Sequence, residues 1–270
     1  MQSAVTISLV PEARGGPFVY WDDLAAGCRE AAARGFDAVE IFPPGPDAVN
    51  VDELRTLLDD NGLSLAAVGT GAGWVKHKLS LTSADETIRD KAVAFVRSIM
   101  DLAAKFEAPA IIGSMQGKWE GAVTKQVALR YLGNALFKLD EHATDLGTTL
   151  LYEPLNRYET NLVNTLGDAV LLLTGMRAQN VKILADLYHM NIEEANLADA
   201  IRNAGSHIGH VHFADSNRRA AGLGHTNFAP IIAALVEVGY SGYLSAEILP
   251  LPDSDTAARQ TIATFRQFFG

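Results

Sequence analysis

Short, almost unbroken apolar runs alternate along this chain with longer segments whose apolar positions recur every three or four residues. The runs are AVTISLV (4–10), DAVEIF (37–42), LSLAAVG (63–69), PAIIGSM (109–115), TTLLYE (148–153), VKILAD (181–186), HIGHVHF (207–213) and YLSAEI (243–248). Their length and β-branched content predict eight strands, and the lack of polar alternation in several predicts strands covered on both faces. The segments between them carry helix ends. Asn50 precedes VDELRTLLDDN and Gly62 stops it. Ser83 and Glu86 are spaced as a capping box before TIRDKAVAFVRSIMDLAAKF, whose Ile88, Phe95, Ile99, Leu102 and Phe106 form one stripe. Thr226 or Asn227 caps FAPIIAALVEVG, with Pro230 in its first turn and Gly239 at its end.

Eight strands alternating with helices over 270 residues predict an α/β fold, a single (β/α)8 TIM barrel; a doubly wound open sheet is the alternative. No linker or low-complexity stretch interrupts the pattern, so one domain is expected over 1–270. Composition narrows the partners. Lys plus Arg number 22 against 32 Asp plus Glu, a net charge of −10, which opposes a nucleic-acid partner because phosphate binding draws on basic residues. A small-molecule substrate is the expectation. The single cysteine, Cys28, permits no disulfide within the chain and sits in a helical pattern as packing. The first residues, MQSAVTISLV, lack a basic region followed by a long apolar core, and no apolar run approaches the roughly 20 residues of a membrane span. No membrane partner and a cytoplasmic location are expected.

In a barrel, chemistry belongs at the carboxyl ends of the strands. Four consecutive strands end in a side chain able to bind a metal: Glu153, Asp186, His212 and Glu247, each about one βα unit from the next. Singly, each reads as a solvated cap or a core residue; together, at one rim, they make a convergent set. Three carboxylates and an imidazole suit a hard or borderline divalent ion, and the absence of thiolate argues against a structural zinc site. His207 and His210 share the parity of His212 and are expected in the barrel interior at lower layers.

The segments YEPLNRYETNLVNT, ILADLYHMNIEE, GHVHFADSNR and YLSAEILPLP resemble the xylose isomerase-like barrel family, and within it the metal-dependent ketose 3-epimerases of the tagatose and psicose type. AVGTGAGWVKHKLSLTSADETIRDKA and NRRAAGLGHTNF also resemble the 5-keto-L-gluconate epimerase branch. The resemblance implies that Glu153, Asp186, His212 and Glu247 bind the metal, manganese foremost with magnesium, cobalt or zinc as alternatives. It implies that Glu153 and Glu247 also exchange the substrate proton. Glu159, His189 and Arg218 would hold the polar end of the sugar, Trp74 and Trp119 would cover it, and a homo-oligomer, dimer or tetramer, is expected.

The residue types fit that chemistry. Inverting one carbon beside a ketone takes a proton from one face and returns it on the other, which two carboxylates do more readily than one base. Aldose–ketose isomerisation needs only one, so inosose and hydroxypyruvate isomerases with the same metal set stay open. An apurinic endonuclease of this barrel type would place extra histidines after the third and fourth strands, where this chain reads VGTG and IIGSM. A non-catalytic sugar-binding barrel would not require two metal-held glutamates. Arg157 and Lys76 are expected in exposed ion pairs, and His225 as a cap or an orienting residue.

Overall fold

The computed structural model describes residues 1–270 and closes the eight apolar runs into a parallel barrel. Its strands are β1 (Gln2–Ser8), β2 (Tyr20–Trp21), β3 (Ala38–Phe42), β4 (Ser64–Gly69), β5 (Ala110–Ile112), β6 (Leu150–Tyr152), β7 (Val181–Asp186), β8 (Ile208–His212) and β9 (Tyr243–Ala246). Neighbours from β3 to β9 pair in chain order, and β1 joins β3 on one side and β9 on the other. The open sheet is thereby excluded. The two-residue β2 has no counterpart among the eight sequence-predicted strands. It pairs with Ile7 and Ser8 of β1 beyond the stretch, Gln2 to Val5, that β9 covers.

Two apolar environments explain why the strands read as unbroken runs. Alternate residues such as Val5, Ile7, Val39, Ile41, Leu150, Tyr152, Ile183 and Val211 point outward into the main core shared with the helices. Their neighbours point inward, where Ala4, Ala38 and Ala66 fill one small cluster and Ala67, Ile111, Leu151 and Leu184 another. The inner side chains make a packed plug, and the cavity above it lies at the carboxyl ends of the strands.

The enclosing helices are Leu24–Arg34, Val51–Asn61, Glu86–Ala104, Lys125–Leu146, Leu166–Met176, Leu197–Ala204, Phe228–Glu237 and Ser254–Phe269. Asn50 caps the second through the amides of Asp52 and Glu53, and Gly62 ends it in the left-handed region at φ 63°. The capping box expected from Ser83 and Glu86 does not form. Asp85 accepts from Thr87 N and starts the third helix at Glu86, while Ser83 Oγ accepts from Asp85 N. A carboxylate at the positive helix end outcompetes the hydroxyl. The expected stripe also rotates: Ile99 and Leu102 are buried with Ala92, Val96, Met100 and Ala103, and Phe95 and Phe106 are only half-covered. Asn227 is the cap residue of Phe228–Glu237 by backbone position, but its side chain accepts no hydrogen bond from the first turn. No helix is long and apolar enough to cross a membrane.

Candidate active site

Strand register brings the four strand-end residues together. Asp186, the last residue of β7, is paired with His212, the last of β8, and His212 is paired with Ser245 of β9, two residues before Glu247. Glu153 directly follows β6. Glu153 has the parity of Leu151, Asp186 that of Leu184, His212 that of His210 and Glu247 that of Ser245, so all four side chains enter the mouth. All are buried, and one ligand atom from each lies within 4.8 Å of the others. His212 Nδ1 stands 3.3 Å from Asp186 Oδ2, 3.5 Å from Glu153 Oε1 and 3.5 Å from Glu247 Oε2.

Three buried carboxylates this close repel one another unless a cation or protons intervene. Glu153 Oε1 is buried without a hydrogen-bond partner, so the donor set has an oxygen to spare for an ion. Three carboxylates and one imidazole fit Mn²⁺, Mg²⁺, Co²⁺ or Zn²⁺. Glu40, which the sequence reading did not single out, prepares the imidazole. On β3, it accepts from His212 Nε2 at 3.1 Å and from His210 Nε2 at 2.8 Å, leaving His212 Nδ1 to face the carboxylates.

The protonation pattern follows from burial and charge. Burial pushes Glu247 up, His212 and Arg218 oppose it, and Glu153 and Asp186 add to it, leaving its carboxyl at about 7. Burial would also raise Asp186, yet His189, the hydrogen bond from His212 and the Arg218 charge hold it well below the usual carboxylate range. Burial would lower His212, but Glu40, Glu247 and the Asp186 contact raise it well above an ordinary imidazole.

Glu159, His189 and Arg218 line the same cavity of about 290 Å³, with Glu153 and Glu247. Arg218 Nη2 donates to Glu247 Oε2 at 2.7 Å and Nη1 to Glu159 Oε1 at 3.3 Å, while the guanidinium lies over the Tyr188 ring. His189 Nε2 is 3.8 Å from Glu153 Oε1 and 3.7 Å from Asp186 Oδ2. Val10, Phe18, Phe42, Val75 and Leu155 form much of the remaining wall.

Trp74 and Trp119 are not among the residues lining this cavity. Trp74 lies exposed with Lys78 Nζ over its ring. Trp119 is tied to Asn161: its backbone N donates to Asn161 Oδ1, its indole to Asn161 O, and Asn161 Nδ2 donates to Trp119 O. That clasp joins the loops after β5 and β6, so Trp119 supports the segment carrying Glu159.

The sequence pattern that defines the xylose isomerase-like TIM barrel matches residues 28–268. The chain belongs to that family. It is 32% identical over 242 residues to the D-psicose 3-epimerase of Agrobacterium fabrum, covering 87% of this chain and 79% of that protein. It is 30% identical over 243 residues to the 3-dehydro-D-guloside 4-epimerase of Escherichia coli, covering 86% and 90%. The crystal structure of the D-allulose 3-epimerase of a Methylomonas species in complex with D-allulose superposes with a TM-score of 0.80 at 27% identity, over 99% of this chain and 98% of that one. These relatives place the protein among the carbohydrate epimerases, enzymes of the isomerase class.

Around the strand-end set, the chain adds supports that the sequence pattern did not disclose. Gln116 Nε2 donates to the carbonyls of Gly113 and Glu153, and its Oε1 accepts from Tyr152 OH, fixing the backbone at Glu153. Asp215 accepts from the amides of Ser216, Gly222 and Thr226 and shapes the loop in which Arg218 adopts φ 58°. Arg157 pairs with Glu193 at 2.9 Å and Lys76 with Glu12 at 4.0 Å, as expected of exposed ion pairs. His225 is exposed and its backbone donates to Ser216 Oγ. His210 is interior as expected, but His207 lies in the turn before β8, half-exposed, because β8 starts one residue later than the apolar run.

Proposed function

We propose that this protein, as one catalytic domain, is a divalent-metal-dependent epimerase that inverts the carbon beside the ketone of a free ketose or keto-sugar acid such as 5-keto-L-gluconate. The observation that carries the reading is the convergence of Glu153, Asp186, His212 and Glu247 within 4.8 Å, with one carboxylate oxygen unpartnered. The two relatives' names describe inversion next to a ketone, which supports the same class. A divalent ion held by these four residues, Mn²⁺ foremost, supplies Lewis-acid polarisation of the ketone and its neighbouring hydroxyl. Glu153 and Glu247 act as the acid–base pair. They rise from β6 and from beyond β9, with β7 and β8 between them, and so approach a bound sugar from different parts of the rim. One takes the proton from carbon; the other returns one to the opposite face. Glu159, His189 and Arg218 orient the hydroxyls.

The test is incubation with Mn²⁺ and a panel of ketopentoses, ketohexoses and ketohexonates in D₂O. Deuterium should enter at the carbon beside the ketone with inversion there. An aldose product labelled at C2, with exchange in the ketose confined to C1, would replace epimerase by isomerase, and no label in any sugar would remove the proton-transfer reading.

Metal uptake should be strongly pH-dependent. Below pH 7, Glu247 carries a proton that an ion must displace; His212, raised well above an ordinary imidazole, must also release its Nδ1 proton. Titration calorimetry with Mn²⁺ in buffers of different ionisation enthalpy should show about two protons released near pH 6 and about one near pH 8, with apparent affinity rising throughout. A flat or falling affinity would contradict this ligand set.

A further inference from the structure

We infer that Asn156 sets the tautomer of His189, holding its hydrogen on Nε2 so that the imidazole serves the site as a fixed hydrogen-bond donor. The inference rests on the reading of the site given above. Asn156 is 1% exposed and follows Glu153 by three residues. Its Oδ1 accepts from Tyr158 N at 2.9 Å, and its Nδ2 donates to His189 Nδ1 at 2.7 Å and to Glu159 Oε1 at 3.3 Å. These partners decide the orientation of the amide: turned over, it would set its oxygen against the Glu159 carboxylate and its NH₂ against a backbone N–H. Asn156 N also points at His189 Nδ1, at 3.4 Å.

With N–H groups of one residue aimed at it, Nδ1 is the accepting nitrogen, and in a neutral imidazole the other nitrogen then carries the hydrogen. Nε2 is buried, has no hydrogen-bond partner, and stands too far from Glu153 and Asp186 to bond either. A buried donor left unmade is costly, so this one is poised for an oxygen of the ligand. His189 lines the cavity together with Glu153 and Glu247. In this tautomer His189 has no lone pair to offer the substrate, which leaves proton removal to the carboxylates and gives His189 the task of donating to a sugar oxygen as negative charge develops there. Asn156 is therefore a positioning residue that acts through His189, and the same amide group steadies Glu159.

The test combines a spectroscopic and a kinetic measurement. In protein with ¹⁵N-labelled histidine, with His189 assigned by its loss in H189Q, Nδ1 should show the pyridine-type shift and Nε2 the pyrrole-type shift. N156D keeps the size of the side chain but presents a carboxylate oxygen to Nδ1, which should move the hydrogen there. With the sugar found in the D₂O panel, kcat of N156D should fall ~30- to 100-fold with KM within ~3-fold, as when one oriented donor is lost. In the H189Q background the same substitution should change kcat by less than ~3-fold. A protonated Nδ1 in the unsubstituted protein overturns the inference, as does an equal loss from N156D in both backgrounds, which would route the effect through Glu159. The NMR measurement needs no substrate, so if no sugar is turned over the function falls while the tautomer is still decided.

Discussion

Glu153→Gln and Glu247→Gln should each lower kcat for epimerisation by ~10³-fold or more, within the upper range for positioned general acid–base groups. Either change leaves an amide oxygen able to reach an ion, so bound Mn²⁺ measured by elemental analysis separates loss of the base from loss of the metal. The double variant should be little slower than either single one, because inversion needs both groups and removing one already breaks the unit. Half-reactions discriminate further. A variant keeping one carboxylate should wash deuterium into one epimer faster than the other without interconverting them, and the two variants should favour opposite epimers. E247Q should also release about one proton fewer than the unsubstituted protein on Mn²⁺ uptake at pH 6, because the carboxyl held near 7 is gone. Epimerisation within tenfold of the unsubstituted rate in either variant would remove that residue from the acid–base pair.

The four strand-end residues were legible because a β-strand has a period of two and a βα unit repeats once per strand. A polar residue terminating an apolar run in four successive units can be placed on one rim from the chain alone. Residues acting across the barrel carry no such signal. Glu40 sits inside AVEIF, and only closure of the sheet sets it beside His210 and His212, some 170 residues onward. Gln116 and Asn156 look like ordinary loop amides until Glu153 and His189 are in place. The tryptophans failed as cavity walls for a related reason: their loops follow the expected strands, but a loop does not fix which way an indole turns. Trp119 spends its donors on Asn161. Helix ends show the limit at short range. Ser83 satisfies the spacing of a capping box, yet Asp85, one residue from the helix start, takes the cap with a full negative charge.

Gly113→Ala should cost ~10²-fold in kcat and weaken Mn²⁺ binding while leaving the fold in place, because misplacement of a reacting group by about 1 Å is enough for such a loss. Gly113 directly follows β5, and a methyl group built on it would overlap Oε2 of Glu153, with the Leu155 side chain next at 3.8 Å. The neighbouring strand thus leaves a notch into which the Glu153 carboxylate fits. Backing away along its own backbone is not open to Glu153: Gln116 holds its carbonyl at 2.9 Å, and its N donates to Ile112 O at 2.9 Å. The side chain must therefore rotate, and rotation takes Oε1 out of the group it shares with Asp186, His212 and Glu247. Gly45→Ala is the control, since a methyl there meets nothing within 4 Å and should leave kcat and metal affinity unchanged. Unfolding transitions of both variants, followed by circular dichroism, check that the barrel is intact. The combination G113A/E153Q should be no slower than E153Q alone if the added methyl acts through Glu153. A G113A enzyme with unchanged kcat and Mn²⁺ affinity would show that Glu153 has room to move without loss, and the notch would then have no part in setting the site.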